Sequence, residues 1–196
     1  MLTYQFSSTR AVELSDMRFP FSVGWHAERG AHYIRRGAGE GHLEAGAIAR
    51  IKAEELFDIC LVPDHTGAVA GTIELEVDTL ASGPEPDWVS LATAFLECSP
   101  SFGLALTQEM FRLPWYGWGP ETVATKLETT RRCVQQKLFR EAYSFYAALR
   151  RCRRLHSLLN RDAQKIRAID GQQSNPIHHL PRSWNSRPTQ SSKLVM

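Results

Sequence analysis

Residues 120–145, PETVATKLETTRRCVQQKLFREAYSF, leave the backbone few choices, because end signals and apolar spacing agree on two short helices around a tight turn. Pro120 suits a first helical position, where its missing N–H has no partner to lose, and Glu121 suits the positive end of the helix dipole. Val123, Ala124 and Leu127 share one face. Residues 127–130 have the length of a helix-turn-helix corner, and Thr130 can cap the next helix by accepting a backbone N–H. That second helix is expected over 131–140, held inward by Val134 and Leu138, four residues apart. Its opposite face carries Arg132, Gln136 and Arg140 at steps of four, with Gln135 alongside and Arg131 near the start. Arginine can pair bidentately with guanine and glutamine with adenine, so the composition suits base edges in a major groove.

Charge is divided unevenly along the chain. Residues 1–112 hold 8 Lys+Arg against 16 Asp+Glu, and residues 113–196 hold 15 against 5, although the whole chain is only +2. A basic end of this kind points to a polyanionic partner bound with strong salt dependence. Arg150, Arg151, Arg153, Arg154 and Arg161 contribute to it, and arginines that do not reach bases would position the protein on phosphates. The helix expected to carry most of them keeps an apolar stripe in Phe145, Leu149, Cys152 and Leu159.

Val123-Ala124, Thr130, Arg132-Cys133-Val134-Gln135 and Tyr143-Ser144-Phe145 follow one another as in the first reading unit of the arabinose-operon activator (AraC/XylS) family of bacterial transcription regulators, which this stretch resembles. Ala142 stands where the family has a corner glycine. The small residue usual in the linker helix has no clean counterpart near Leu155-His156. The resemblance implies a sequence-specific regulator that binds double-stranded DNA and has no enzymatic activity. Thr130 would cap the reading helix, Arg131, Arg132, Gln135, Gln136 and Arg140 would face the groove, and Lys137, Ser144, Arg150 and Arg151 would meet phosphates. It also implies an N-terminal sensor and dimerisation domain, with a small-molecule effector and a homodimer as expected partners. Sensors in the family are commonly about twice the length of the β-rich portion here.

That portion reads as strands. Residues 2–6, 31–35, 43–51, 56–62 and 69–77 are β-compatible runs separated by turns such as RRGAGEG and PDHTG, and 72–77 alternates cleanly. The Pro-rich ASGPEPD at 81–87 is the best boundary, followed by helices over 88–97 and 102–112 and an aromatic hinge, LPWYGWGP. The expected fold is α+β: a β-rich partial barrel or sheet over 1–80, a helical connector over 81–112, an all-α helix-turn-helix and linker helix over 113–170, and a disordered or degenerate tail over 171–196. Fragments at Ile166-Arg167-Ala168-Ile169 and at 183–188 faintly resemble the family's second reading unit, but Pro176 and Pro181 break the place where its helix should stand.

Other chemistry is weakly signalled. His26, His32, His42 and His65 have no metal-ligand spacing, and surface or pocket-wall positions suit them better. Gly37, Gly39 and Gly41 lack a phosphate-loop pattern and suit a hairpin turn. AVAGTIELEV resembles a central acetyltransferase strand without the pyrophosphate loop that should follow, so acyl transfer is a remote alternative; a regulatory protein that pairs with an intact relative is a nearer one. Trp115, Tyr116 and Trp118 suit core or hinge packing better than ligand stacking. Cys60, Cys98, Cys133 and Cys152 are dispersed, as expected of buried thiols in a reducing cytoplasm. No catalytic residue, metal or cofactor is expected. No run approaches the ~18 apolar residues of a membrane span, and the first ten residues lack the form of a signal peptide.

Overall fold

Alternation of apolar and polar side chains organises the first part of the chain into eight strands: β1 (Leu2–Ser8), β2 (Val12–Met17), β3 (Val23–Arg29), β4 (Ala31–Arg36), β5 (Gly39–Leu43), β6 (Ile48–Ile51), β7 (Phe57–Val62) and β8 (Val69–Leu75). Five helices follow: α1 (Trp88–Leu96), α2 (Phe102–Arg112), α3 (Pro120–Lys126), α4 (Arg131–Arg140) and α5 (Phe145–Leu159). This computed structural model describes residues 1–77, 83–97 and 101–159. The expectations for Cys98, for Arg161 and the end of the linker helix, for the fragments at 166–169 and 183–188 and for the 171–196 tail lie outside the described residues.

The strands form two antiparallel four-stranded sheets, ordered β1-β8-β3-β6 and β2-β7-β4-β5. Successive strands therefore alternate between sheets until β4 and β5 pair as a hairpin, which is the winding of a double-sheet jelly roll, or double-stranded β-helix. The α+β arrangement expected from the sequence holds at this level. β2, β3 and most of β5 were not anticipated, and the run expected over 43–51 is the last residue of β5, a turn at Gly46 with φ of +89°, and β6 in the other sheet. The RRGAGEG segment is only partly a turn: Gly37 turns the chain with φ of +53°, while Gly39 and Gly41 lie in β5 opposite Arg36 and Ile34.

Side chains fill the space between the sheets. Val23, Trp25 and Ala27 of β3, Ile34 of β4, Phe57, Ile59 and Leu61 of β7, and Val69, Ile73 and Leu75 of β8 are all buried. Phe6 lies 5.1 Å from Trp25, and Trp25 lies 6.5 Å from Phe57. Gly71 makes this packing possible. A methyl group at that position would stand 2.5 Å from His26 O, 2.7 Å from the Phe6 ring and 2.9 Å from His32 Cε1.

One apolar core continues from this barrel into the helices. The connection from β2 to β3 carries Phe19, Pro20 and Phe21 to the helical side, where Phe21 meets Phe111 of α2 edge-on at 5.7 Å and Gln108 Nε2 donates to Pro20 O at 3.0 Å. Beside them Glu54, on the β6–β7 connection, accepts from Arg151 Nη2 of α5 at 2.7 Å and pairs with Arg18 Nε at 3.0 Å. Glu54 holds φ of +62°, a left-handed conformation costly for a side-chain-bearing residue, and its N–H donates to Phe19 O at 2.8 Å. Burial and the nearby Glu54 carboxylate push the Tyr143 phenol up to about 12.

The α3–α4 corner follows the reading of its capping residues. Thr130 Oγ1 accepts from Cys133 N at 3.3 Å, and Val134 and Leu138 are buried. Trp118 is buried at the expected hinge, with its indole N–H donating to Leu113 O at 2.8 Å and its ring 5.0 Å from Tyr116, so these aromatics serve packing. Trp115 is exposed and meets His156 edge-on at 6.0 Å.

Gly71→Ala is expected to destabilise the protein by about 1–3 kcal/mol, the usual cost of forcing volume into a packed interior. Urea unfolding followed by tryptophan fluorescence measures this, and an unchanged midpoint would show that Phe6 and His32 have room to yield.

Candidate functional site

Two places could carry function: the inside of the jelly roll and the outward face of the helices. His32 is the buried ionisable residue of the barrel interior among the described residues. Its Nδ1 accepts from Trp25 Nε1 at 3.0 Å and its Nε2 lies 3.1 Å from Arg29 O. With the indole as donor on one side and a carbonyl as acceptor on the other, the ring satisfies both contacts as the neutral Nε2–H tautomer. Burial holds its pKa below the ordinary histidine value, against the opposing pull of the Arg29 and Ala70 backbone.

The other histidines do not join it. His26 Nε2 pairs with Glu74 Oε2 at 3.0 Å, His42 stacks on Tyr33 at 4.9 Å and His65 is exposed in the β7–β8 turn. No group of three or more His, Cys, Asp or Glu residues among the described residues could hold a metal. Trp25, Phe57 and their neighbours are packed inside the barrel. Cys60 and Cys152 are buried, and burial pushes their thiols up to about 11 and about 12. Cys133, expected to be buried, is exposed beside the α4 cap, where the Thr130 hydroxyl lowers its pKa.

On the helical face the nominated residues have different fates. Thr130, Arg131, Arg132, Gln135, Gln136, Arg140, Ser144 and Arg150 are exposed. Arg131 is engaged by Glu121, with Nη1 at 2.6 Å from Oε1. Lys137 is half-buried, donating to Glu97 O at 3.0 Å and lying 3.6 Å from Glu141 Oε1. Arg151 is held by Glu54 at the joint with the barrel, and Arg153 donates to Pro114 O at 2.9 Å. What remains together on α4 is Arg132, Gln135, Gln136 and Arg140. Among them stands a residue the sequence reading did not nominate, Phe139, which is 83% exposed. Its spacing could have shown this: Phe139 is four residues after Gln135 and five after the buried Val134, hence on the polar side of the helix.

Two further residues escaped the sequence reading because their partners are distant in the chain. Glu141, at the end of α4, accepts from Ser101 Oγ at 2.6 Å and Gly103 N at 2.7 Å, so it caps the start of α2. Burial pushes the Glu141 carboxyl up, but these two bonds and the Lys137 ammonium more than offset that and leave it below its usual range. Gly103 has no side chain to strike the Tyr143 ring that lies on it. Ala142 then takes the corner into α5 with φ of +59°, where the family resemblance has glycine.

No family model matches the chain, and no curated protein matches it. Solved structures that match include a cupin superfamily protein from Desulfitobacterium hafniense, at 16% identity and a TM-score of 0.32, covering 38% of this chain and 64% of that one. A de novo designed double-stranded β-helix matches at 14% identity and a TM-score of 0.31, covering 39% of this chain and all of the other. An uncharacterised double-stranded β-helix protein from Klebsiella pneumoniae matches at 18% identity and a TM-score of 0.31, covering 36% and 62%. The chain thus spans a little under two thirds of the cupin protein's length. These findings correct the expected membership of the arabinose-operon activator family, and with it the transcription-regulator and DNA-binding assignments. The matches are to cupin and double-stranded β-helix proteins. The physical reason the expectation misled is that three of the nominated cations, Arg131, Lys137 and Arg151, are engaged within the chain.

Acid is expected to weaken the fold through His32. Its folded pKa lies below its unfolded one, so the unfolded chain binds the extra proton first and stability falls as pH drops below about 6.5. Urea midpoints at pH 7.5 and 5.5 should separate more for the native chain than for His32→Gln, and equal separations would contradict the assignment. Ala142→Gly is expected to raise stability by up to about 1 kcal/mol, relief of left-handed strain being partly offset by a more flexible unfolded chain. A calorimetric midpoint at or below that of the native protein would show the corner unstrained.

Proposed function

We propose that this chain is a non-enzymatic interaction protein in which the jelly roll is a scaffold and the outward face of α4 grips an acidic, apolar-bearing segment of a partner protein. The observation that carries this reading is Phe139, exposed at 83% among Arg132, Gln135, Gln136 and Arg140 on a helix whose inner face is clamped. Aromatic and arginine side chains together are the composition of protein-interface hot spots, where a ring fills a pocket and the guanidinium groups around it pair with carboxylates. Phosphate backbone gives a phenyl ring nothing to bury against. In this reading the expected α3–turn–α4 unit serves as a rigid platform, fixed by the Thr130 cap below and the Glu141 contacts to α2 above.

The packed interior of the barrel favours the same conclusion. A scaffold filled by Trp25, Phe57 and Ile59 presents function on its outside. No helix among the described residues is long and apolar enough to cross a membrane. The buried thiols of Cys60 and Cys152 suit a reducing cytoplasm, which we take as the compartment.

Fluorescence anisotropy with a labelled 20-residue peptide of alternating acidic and leucine residues tests the proposal, with a labelled mixed-sequence DNA duplex as the competing arm. Phe139→Ala should weaken peptide binding by about tenfold, or ~1.4 kcal/mol, and Arg132→Ala by a smaller, salt-dependent amount. Duplex binding tighter than peptide binding and indifferent to Phe139→Ala would sink the reading.

A further inference from the structure

The four sheet edges of the jelly roll are unequal, and one of them lacks every device that keeps edge strands apart. β2 carries Glu13 and Asp16 and has an irregular register between Leu14 and Met17. β5 is short, glycine-bearing and charged at Glu40, and β6 has only four residues, one of them Arg50. Charges, bulges and brevity are the ordinary means by which exposed edges avoid pairing with other chains. β1, LTYQFSS, is seven residues long, carries no charge and no proline, and keeps an unbroken antiparallel register with β8 from Leu2↔Leu75 to Ser8↔Val69. Among the described residues no strand pairs with its outer side. Its inward-pointing Leu2, Tyr4 and Phe6 are only half-buried, although they border the packed core.

We infer that β1 is the interface of a homodimer, in which two copies pair their β1 strands antiparallel about a two-fold axis at Gln5 and join their four-stranded sheets into one of eight strands. The strand is complementary to itself in that register. Tyr4 falls opposite the partner's Phe6, an aromatic pair on the half-buried face, and Thr3 falls opposite the partner's Ser7, a hydroxyl pair on the exposed face. Gln5 meets its own copy, where two amides can exchange hydrogen bonds. Charge matching also favours a second copy, since an uncharged strand brings no repulsion to its own image. Of the other edges, β2 paired in the same way about its own centre would set Glu13 against Asp16 of the second copy, two like charges. A two-fold interface needs one surface patch that complements itself, and β1 meets that condition without any rearrangement of the fold.

The proposal is independent of the α4 reading, because β1 and α4 lie on different units and neither requires the other to be occupied. Sedimentation velocity on the full chain across a hundredfold concentration range tests it. The expected species has twice the chain's 22.1 kDa mass and dissociates on dilution. Gln5→Lys and Gln5→Glu should each be monomeric at concentrations where the native chain is dimeric, because like charges then face each other across the axis. Mixing the two variants should restore a dimer, which a misfolded chain could not do. Hydrogen exchange supplies a readout without substitution: β1 amides of the native chain should be better protected at high concentration than at low. A native chain that stays monomeric throughout would overturn the inference, as would a dimer that both variants leave intact or β1 protection that ignores concentration.

Discussion

The Glu54 carboxylate fixes how the two parts of this protein meet. It accepts from Arg151 of α5 and lies 3.0 Å from Arg18 Nε of the barrel side, which donates to the Glu54 backbone O at 2.9 Å, while the N–H of Glu54, in left-handed conformation, donates to Phe19 O. A half-buried ion pair of this kind adds little net stability over an apolar contact of similar volume, yet losing one partner is costly because the other charge stays in place. What it supplies is a single arrangement. Phe21 on Phe111 and Gln108 on Pro20 would tolerate some sliding, whereas two guanidinium groups on one carboxylate would not. The platform beneath α4 inherits that arrangement through α5 and α2, so the exposed side chains of α4 are presented from a fixed base.

The same joint explains why charge along the chain was misleading. The acidic first part and the basic second part look like a polyanion-binding protein when counted separately. In three dimensions some of those charges are engaged within the chain: Arg151 finds the Glu54 carboxylate across 97 residues, and Lys137 donates to the backbone carbonyl of Glu97 across 40. Others are satisfied locally, as Arg131 is by Glu121. Composition counts every arginine alike, and only geometry tells which are free to meet a partner.

Local structure was more legible than topology. The start at Pro120, the cap at Thr130 and the inward pair Val134 and Leu138 depend on residues within a few positions of one another, and each stands where spacing placed it. β8 was legible through alternation. β3 was missed although Val23, Trp25 and Ala27 alternate with Gly24, His26 and Glu28, because glycine and charged residues weaken a strand signal that burial on one face then restores. The 43–51 run was read as one strand because its apolar residues continue through Gly46, where positive φ turns the chain from one sheet to the other. Glu141 and Gly103 could not be read at all from nearby sequence. Their roles exist only once α2 and the end of α4 are side by side.

A jelly roll offers three places to act: its interior, its strand edges and whatever is fused to it. Here Trp25, Phe57 and the neutral His32 stand inside the first, and at Gly71 even a methyl group would meet three neighbours. The fused helices bury their apolar stripes against that same barrel and against each other, and among the described residues they leave Val89, Leu96, Phe139 and Tyr146 exposed, Phe139 standing within the polar face of α4. Three of the four strand edges carry charge, and β2 adds an irregular register. In the reading proposed above, function sits on surfaces that the packing leaves unfinished, where apolar side chains stand exposed without a reason internal to the fold. Phe139 and the half-covered row of Leu2, Tyr4 and Phe6 satisfy that condition on opposite units, so they are best understood as two contacts with other molecules and not as two halves of one site.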